Sequence, residues 1–225
     1  MLKHILFDID DSLFPSTEFS NLARANAINA LIAMGTKQDF DSINRQLLKI
    51  IKKKGSNYPH HFDDLCKLLK IKRPSKYIAA AIAAYHDSKT AIAPYPRVPL
   101  TLLALKKQGY MIYAATNGNA TKQWDKLIRL RIALYFDDVF VSDELGTEKS
   151  QAFYRKILKT LNAKPKECLM VGDREDFDIA PAKALGMHTI LVLDGKYSKV
   201  SSVTSTRADF AISDLSEILR LVQQL

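Results

Sequence analysis

The sequence predicts an α/β protein: a Rossmann-like parallel sheet with helices on both faces, carrying an inserted all-α domain. Three observations predict it. After Pro96, short apolar runs alternate with segments of helical periodicity, the rhythm of strands joined by crossover helices. Residues 16–93 show helical spacing only. The two regions meet at Phe14-Pro15-Ser16 and Ala93-Pro94-Tyr95-Pro96, Pro-marked stretches that stop regular structure and suit hinges. Residues 1–15 and 94–225 are therefore expected to form a core domain, and residues 16–93 a helical one.

The first strand is expected over residues 3–7, an apolar run that ends abruptly at Asp8 and Asp10. In the insertion, Phe19, Leu22, Ala27, Ala30 and Met34 recur three to four apart and stop at Gly35. Phe40, Ile43, Leu47 and Ile50 repeat the pattern to near Gly55. A shorter helix follows over 61–69, then an Ala-rich one with Ser75 read as its N-cap. Past the second Pro stretch, 99–108 reads as a helix closed by Gly109, 111–115 as a buried strand and 120–130 as a helix. A short strand at 139–141 and a helix at 150–161 come next. Residues 169–171 form a strand, 176–185 a helix closed by Gly186, and 188–193 another strand. Residues 210–212 offer one more strand before a last helix whose apolar face is Leu215, Ile218, Leu219 and Val222.

A chain of 225 residues, 47% hydrophobic and 25% charged, can bury a sizeable core. The most apolar stretch, 77–85, is too short and Ala-rich to span a bilayer. Asp8 and Asp10 interrupt the N-terminal apolar run, so it does not read as a signal peptide, and a cytoplasmic monomer or homodimer is expected. The net charge of +9 favours anionic ligands. Its lysines are scattered, however, and the one cluster, Lys49 with Lys52, Lys53 and Lys54, lacks interleaved aromatics. A solvated helix face accounts for it better than a nucleic-acid site. Cys66 and Cys168 sit in apolar patterns without metal-ligand spacing and read as small buried residues.

In a parallel sheet, ligands bind outside the carboxyl ends of the strands, so the residues just past each strand sample one site. Asp8 and Asp10 come after the first; two apart in an extended chain, they project together. Such a pair implies a cation, a catalytic task or both, although an Asp-rich turn would also end an ordinary strand. Thr116-Asn117-Gly118 comes after 111–115, Lys149 opens the helix after 139–141, and Gly172-Asp173-Arg174-Glu175-Asp176-Phe177-Asp178 comes after 169–171. Carboxylates suit a hard cation such as Mg²⁺, and Lys149 offers a compact positive charge to phosphate oxygens. The Thr116 hydroxyl and the N–H groups of Asn117 and Gly118 can donate to the same oxygens. This set suits phosphoryl transfer. Asp176 reads as a helix N-terminal acid, and Asp143 and Glu144 as exposed. No Gly-x-x-x-x-Gly-Lys-Ser/Thr segment occurs and no Gly-rich turn succeeds the first strand, which disfavours a P-loop kinase and a Rossmann dehydrogenase.

With Asp8-Ile9-Asp10-Asp11-Ser12, Thr116-Asn117-Gly118, Lys149 and Gly172-Asp173 to Asp178 in this order, the chain resembles the haloacid dehalogenase-like hydrolase superfamily, in the branch with a helical cap after the first motif. The resemblance implies Asp8 as the nucleophile that becomes an aspartyl phosphate, and Asp10 as the acid, then base. It implies Mg²⁺ held by Asp8, the Asp10 carbonyl and Asp173, with Asp178 a direct ligand or a support for Lys149. Thr116, Asn117 and Lys149 would bind the phosphoryl group. An alkoxide leaving group needs a proton and a halide does not, so an acid at Asp10 favours phosphate esters over haloacids. Ser12 stands where the family more often has Thr, and Ser150 where it more often has Pro. The resemblance implies a small phosphorylated metabolite as substrate; some archaeal members with a similar cap are assigned to glyceraldehyde 3-phosphate, others of the cap type to phosphoglycolate or nucleoside monophosphates. A phosphomutase on the same fold is the alternative. The loop Asn57-Tyr58-Pro59-His60-His61 is either a substrate-contacting element or an exposed connection.

Overall fold

The computed structural model describes residues 1–193 and 208–225. The chain divides into two compact units, residues 1–17 with 93–225, and residues 18–92. In the first, six strands pair in the order β3-β2-β1-β4-β5-β6, all parallel. They are β1 (His4–Phe7), β2 (Met111–Thr116), β3 (Asp138–Val141), β4 (Cys168–Gly172), β5 (His188–Val192) and β6 (Phe210–Ile212). β1 is central, with His4 in register with Met111 on one side and Cys168 on the other. Its four residues and all five of β4 are buried, as continuous apolar runs in a doubly covered sheet should be. Order reverses about β1, which leaves a crevice at the carboxyl ends of β1, β2 and β4.

The helices of this unit are α5 (Val98–Lys107), α6 (Ala120–Arg129), α7 (Ser142–Leu145), α8 (Gln151–Thr160), α9 (Ala180–Lys183) and α10 (Ile218–Leu221). Phe153, Tyr154 and Ile157 of α8 pack with Leu6, Ala115 and Met170 in a buried core. Two expected helices come out differently. Residues 176–185 are not one α-helix: a π-helical turn, Glu175–Ile179, precedes the short α9. Here the Asp178 and Ile179 N–H groups both reach back to the Arg174 carbonyl, at 2.8 and 3.2 Å, while the Asp178 side chain takes the Arg174 N–H at 3.0 Å. The last helix is α10 flanked by 3₁₀ turns, held at its start by the Asp214–Glu217 capping box. Of its expected face, Leu215, Ile218 and Val222 are buried and Leu219 only partly.

The second unit holds α1 (Ser16–Ala33, which begins in the first unit), α2 (Phe40–Lys54), α3 (His61–Leu68) and α4 (Ser75–Ser88). α1 buries a stripe that shares only Ala27 with the expected one: Ala23, Ala27, Ile28 and Leu31 enter the core, whereas Leu22 and Met34 are exposed. Two apolar stripes shared the same spacing, and only one can meet Ile43, Leu47 and Leu65. Ser75 is the first helical residue of α4 rather than its cap; Pro74 takes that position without a side-chain bond. The Tyr58–His61 loop is tied locally, with the Tyr58 hydroxyl donating to Asp64 at 2.9 Å and His61 Nε2 against the Gly55 carbonyl at 2.9 Å. Among the described residues, no helix is long and apolar enough to cross a membrane.

Candidate active site

β1 stops at Phe7, and the next turns build the first wall of the crevice. The Asp8 N–H donates to the Val171 carbonyl at 2.8 Å, which carries Asp8 one residue beyond the strand at the level of β4. Asp11 then adopts φ +56°, a left-handed turn that an aspartate tolerates. Its carboxylate accepts from the Thr17 N–H at 2.8 Å and the Thr17 hydroxyl at 2.5 Å, so it ties the turn to the start of α1.

The other walls are cross-braced. Asn117, after β2, accepts the Lys149 N–H on its side-chain oxygen at 2.8 Å, and its carbonyl accepts from the Gln123 amide at 2.7 Å. Asn117 thus positions the lysine loop. The Gly118 N–H, expected to serve an anion, donates instead to the Ser142 hydroxyl at 2.9 Å, because α7 starts directly beside the end of β2. Ser150 caps α8, accepting from the Phe153 N–H at 3.4 Å, and so fixes the residue just after Lys149. Gly172 is required by close approach: a Cβ there would lie 2.3 Å from Asp178 Oδ2.

These braces gather a buried charge cluster. The Lys149 ammonium donates to Asp8 and, at 2.6 Å, to Asp178. Asp173 lies close by, accepting weakly from the Ser12 hydroxyl at 3.5 Å. Asp8, Asp173 and Asp178 each offer a carboxylate oxygen within 4.8 Å of the others. Three buried acids face one lysine, so negative charge is in surplus. Burial pushes Asp8 up to about 7, against the pull of Lys149. Burial, with repulsion from Asp8 and Asp178, pushes Asp173 up to about 8. Burial opposes the Lys149 charge, but Asp178 and Asp8 outweigh it and hold the ammonium above the usual lysine range. An all-oxygen set with excess negative charge fits a hard divalent cation.

Asp10 stands apart from this cluster. Because the chain has left the strand, the two-residue alternation no longer applies: Asp10 bridges to Phe14, and both its carboxylate oxygens accept from Lys126, at 2.6 and 2.7 Å. Asp10 and Asp8 nevertheless line one cavity of about 260 Å³, with Thr116, Asn117, Lys149 and Asp173. Thr116 is buried there, its hydroxyl no nearer than 3.4 Å to the Asn117 carbonyl. Arg174 also lines it, its guanidinium braced on Asp176 at 2.9 and 2.7 Å and stacked 4.7 Å from the Phe177 ring. Asp176 is thereby an arginine partner; Asp143 is exposed and accepts from Asn119 at 3.0 Å. Sequence reasoning missed Gln123 and Lys126, although their i, i+3 spacing on the helix just after Thr116-Asn117-Gly118 was a usable signal.

Comparison with known proteins agrees over most of the chain. Residues 2–186 match the haloacid dehalogenase-like hydrolase family. A protein named glyceraldehyde 3-phosphate phosphatase from Methanocaldococcus jannaschii is 44% identical over 100% of this chain and 99% of its own length. One of the same name from Pyrococcus furiosus is 40% identical over 99% of this chain and 94% of its own. Among solved structures, a putative beta-phosphoglucomutase from Thermotoga maritima superposes with a TM-score of 0.73 at 18% identity, covering 100% of both chains, a likeness of fold alone.

Proposed function

Because the chain belongs to the haloacid dehalogenase-like hydrolase family, we propose that it is a Mg²⁺-dependent phosphatase that cleaves a small phosphorylated metabolite, glyceraldehyde 3-phosphate first among candidates. The observation that carries the reading is the buried Lys149 braced between Asp8 and Asp178, with Asp173 alongside, at the floor of a cavity of about 260 Å³.

In this reading Asp8 attacks phosphorus and becomes an aspartyl phosphate, while Asp10 protonates the departing alcohol. Water then attacks the same phosphorus, gives its proton to Asp10 and frees the Asp8 carboxylate. Lys149 and the Thr116 hydroxyl bind the phosphoryl oxygens, Asn117 fixes the lysine loop, and Asp178 orients the ammonium. Asp8, Asp173 and the Asp10 carbonyl would hold Mg²⁺, with Asp178 in support; the ion supplies charge neutralisation for the transferring group.

The test is phosphate release from glyceraldehyde 3-phosphate and from 4-nitrophenyl phosphate with Mg²⁺. Release should stop with a chelator and in Asp8→Asn; equal release by wild type and D8N refutes the reading.

A further inference from the structure

Lys126 has no part in the chemistry above, yet it holds the group proposed as acid and base. Its ammonium bonds both oxygens of Asp10, at 2.6 and 2.7 Å, and is itself held by the Gln123 side-chain oxygen at 3.0 Å. It also lies 5.4 Å from the centre of the Phe14 ring. The Lys126 side chain is 21% exposed and that of Asp10 38%, so the pair lies at the mouth rather than the floor. Asp10 lines the cavity, whereas Lys126 is not among the residues lining it. Gln123 in turn bonds the Asn117 carbonyl at 2.7 Å, which links the Asp10 clamp to the loop that sets Lys149.

A carboxylate with both oxygens on one ammonium is fixed in orientation. The second half of the reaction needs a carboxylate held in this way. When water attacks the aspartyl phosphate, a new P–O bond forms, the P–O bond to Asp8 breaks with its electrons returning to Asp8, and the water proton passes to Asp10. With a leaving group that needs no proton, only this second half depends on where Asp10 is held. Resting on the phosphatase reading, we infer that Lys126 is a positioning residue for hydrolysis of the aspartyl phosphate, holding the Asp10 carboxylate where it can take the proton from water.

Lys126→Met removes the clamp, and Lys126→Arg preserves a two-pronged donor. Rapid-quench kinetics with 4-nitrophenyl phosphate and Mg²⁺ separate the two half-reactions, because nitrophenolate leaves without needing a proton. In K126M the phosphoenzyme should decay at least about tenfold more slowly than in wild type, with first-turnover nitrophenolate release within about threefold, since a positioned general base contributes a factor of this order or more. More phosphoenzyme should accumulate at steady state, and K126R should restore most of the decay rate. Lys126→Gln, which keeps one donor, should fall between and serves if K126M does not fold. Equal slowing of both half-reactions, unchanged decay, no rescue by arginine, or a raised KM with kcat kept would each overturn the inference. If wild type releases phosphate at the same rate as D8N and forms no phosphoenzyme, the phosphatase reading fails and carries this inference with it.

Discussion

Two lysine–carboxylate clusters lie at the same sheet edge, and burial sets them apart. Lys149, Asp8 and Asp178 have side chains 3%, 9% and 0% exposed; Lys126 and Asp10 are 21% and 38% exposed. In the buried cluster each charge depends on its partners, because water cannot replace a lost one. In the open pair, water can stand in, and the contact is worth little to the fold. The same pairing of residue types thus builds a buried floor in one place and a solvent-exposed clamp in the other.

Breaking the buried cluster should have the largest effect. Lys149→Met should lower turnover of 4-nitrophenyl phosphate by at least about a thousandfold through loss of phosphoryl-binding charge. It should also destabilise the fold by about 3 kcal/mol in urea titration, since it strands buried carboxylates. Gly172→Ala attacks the cluster from behind. The new Cβ meets Asp178 Oδ2 at 2.3 Å, so Asp178 must move off Lys149, and a loss of about 2 kcal/mol with a clear fall in kcat is expected.

A pH titration sharpens the contrast further. Asp8 and Asp173, raised to about 7 and about 8, hold protons in the folded ion-free protein that the unfolded chain has already lost above about pH 4. Folded protein therefore binds more protons than unfolded across that window, and this contribution to stability falls as pH rises from about 4 to about 8. Mg²⁺ binding should release protons and tighten over the same range. Thermal melts with and without Mg²⁺ from pH 5 to 8.5, a range set by these two acids, should diverge most at the alkaline end. An ion effect independent of pH would contradict the surplus-charge picture. The smallest effect belongs to the open pair: K126M should change stability by less than about 1 kcal/mol, whatever it does to phosphoenzyme decay.

The sheet was legible because each strand is a short apolar run that ends in a polar turn, and strand 210–212 reads the same from sequence and structure. The region 176–185 was not, since its periodicity suits an α-helix and only the tertiary need to tuck Asp178 beside Gly172 opens the turn to π geometry. The α1 face was misplaced because two stripes share one spacing and only the neighbours decide between them. At the site, residues that end strands stood out, and Asp8, Asp10, Thr116, Asn117, Lys149, Asp173 and Asp178 all line the cavity. The braces did not. Gln123 and Ser142 look like any polar residues on a helix, and their roles depend on groups 6 and 24 residues away. Lys126 pairs with Asp10 across 116 residues, a contact that only the parallel sheet brings about.

The central claim is that Asp8 itself carries the phosphoryl group, and acid-quenched protein mixed with substrate and Mg²⁺ tests it most directly by peptide mass spectrometry. A phosphoryl adduct on the peptide holding Asp8, absent in D8N and lost on a chase without substrate, is the predicted result. Phosphate released at full rate with Asp8 never modified would contradict it.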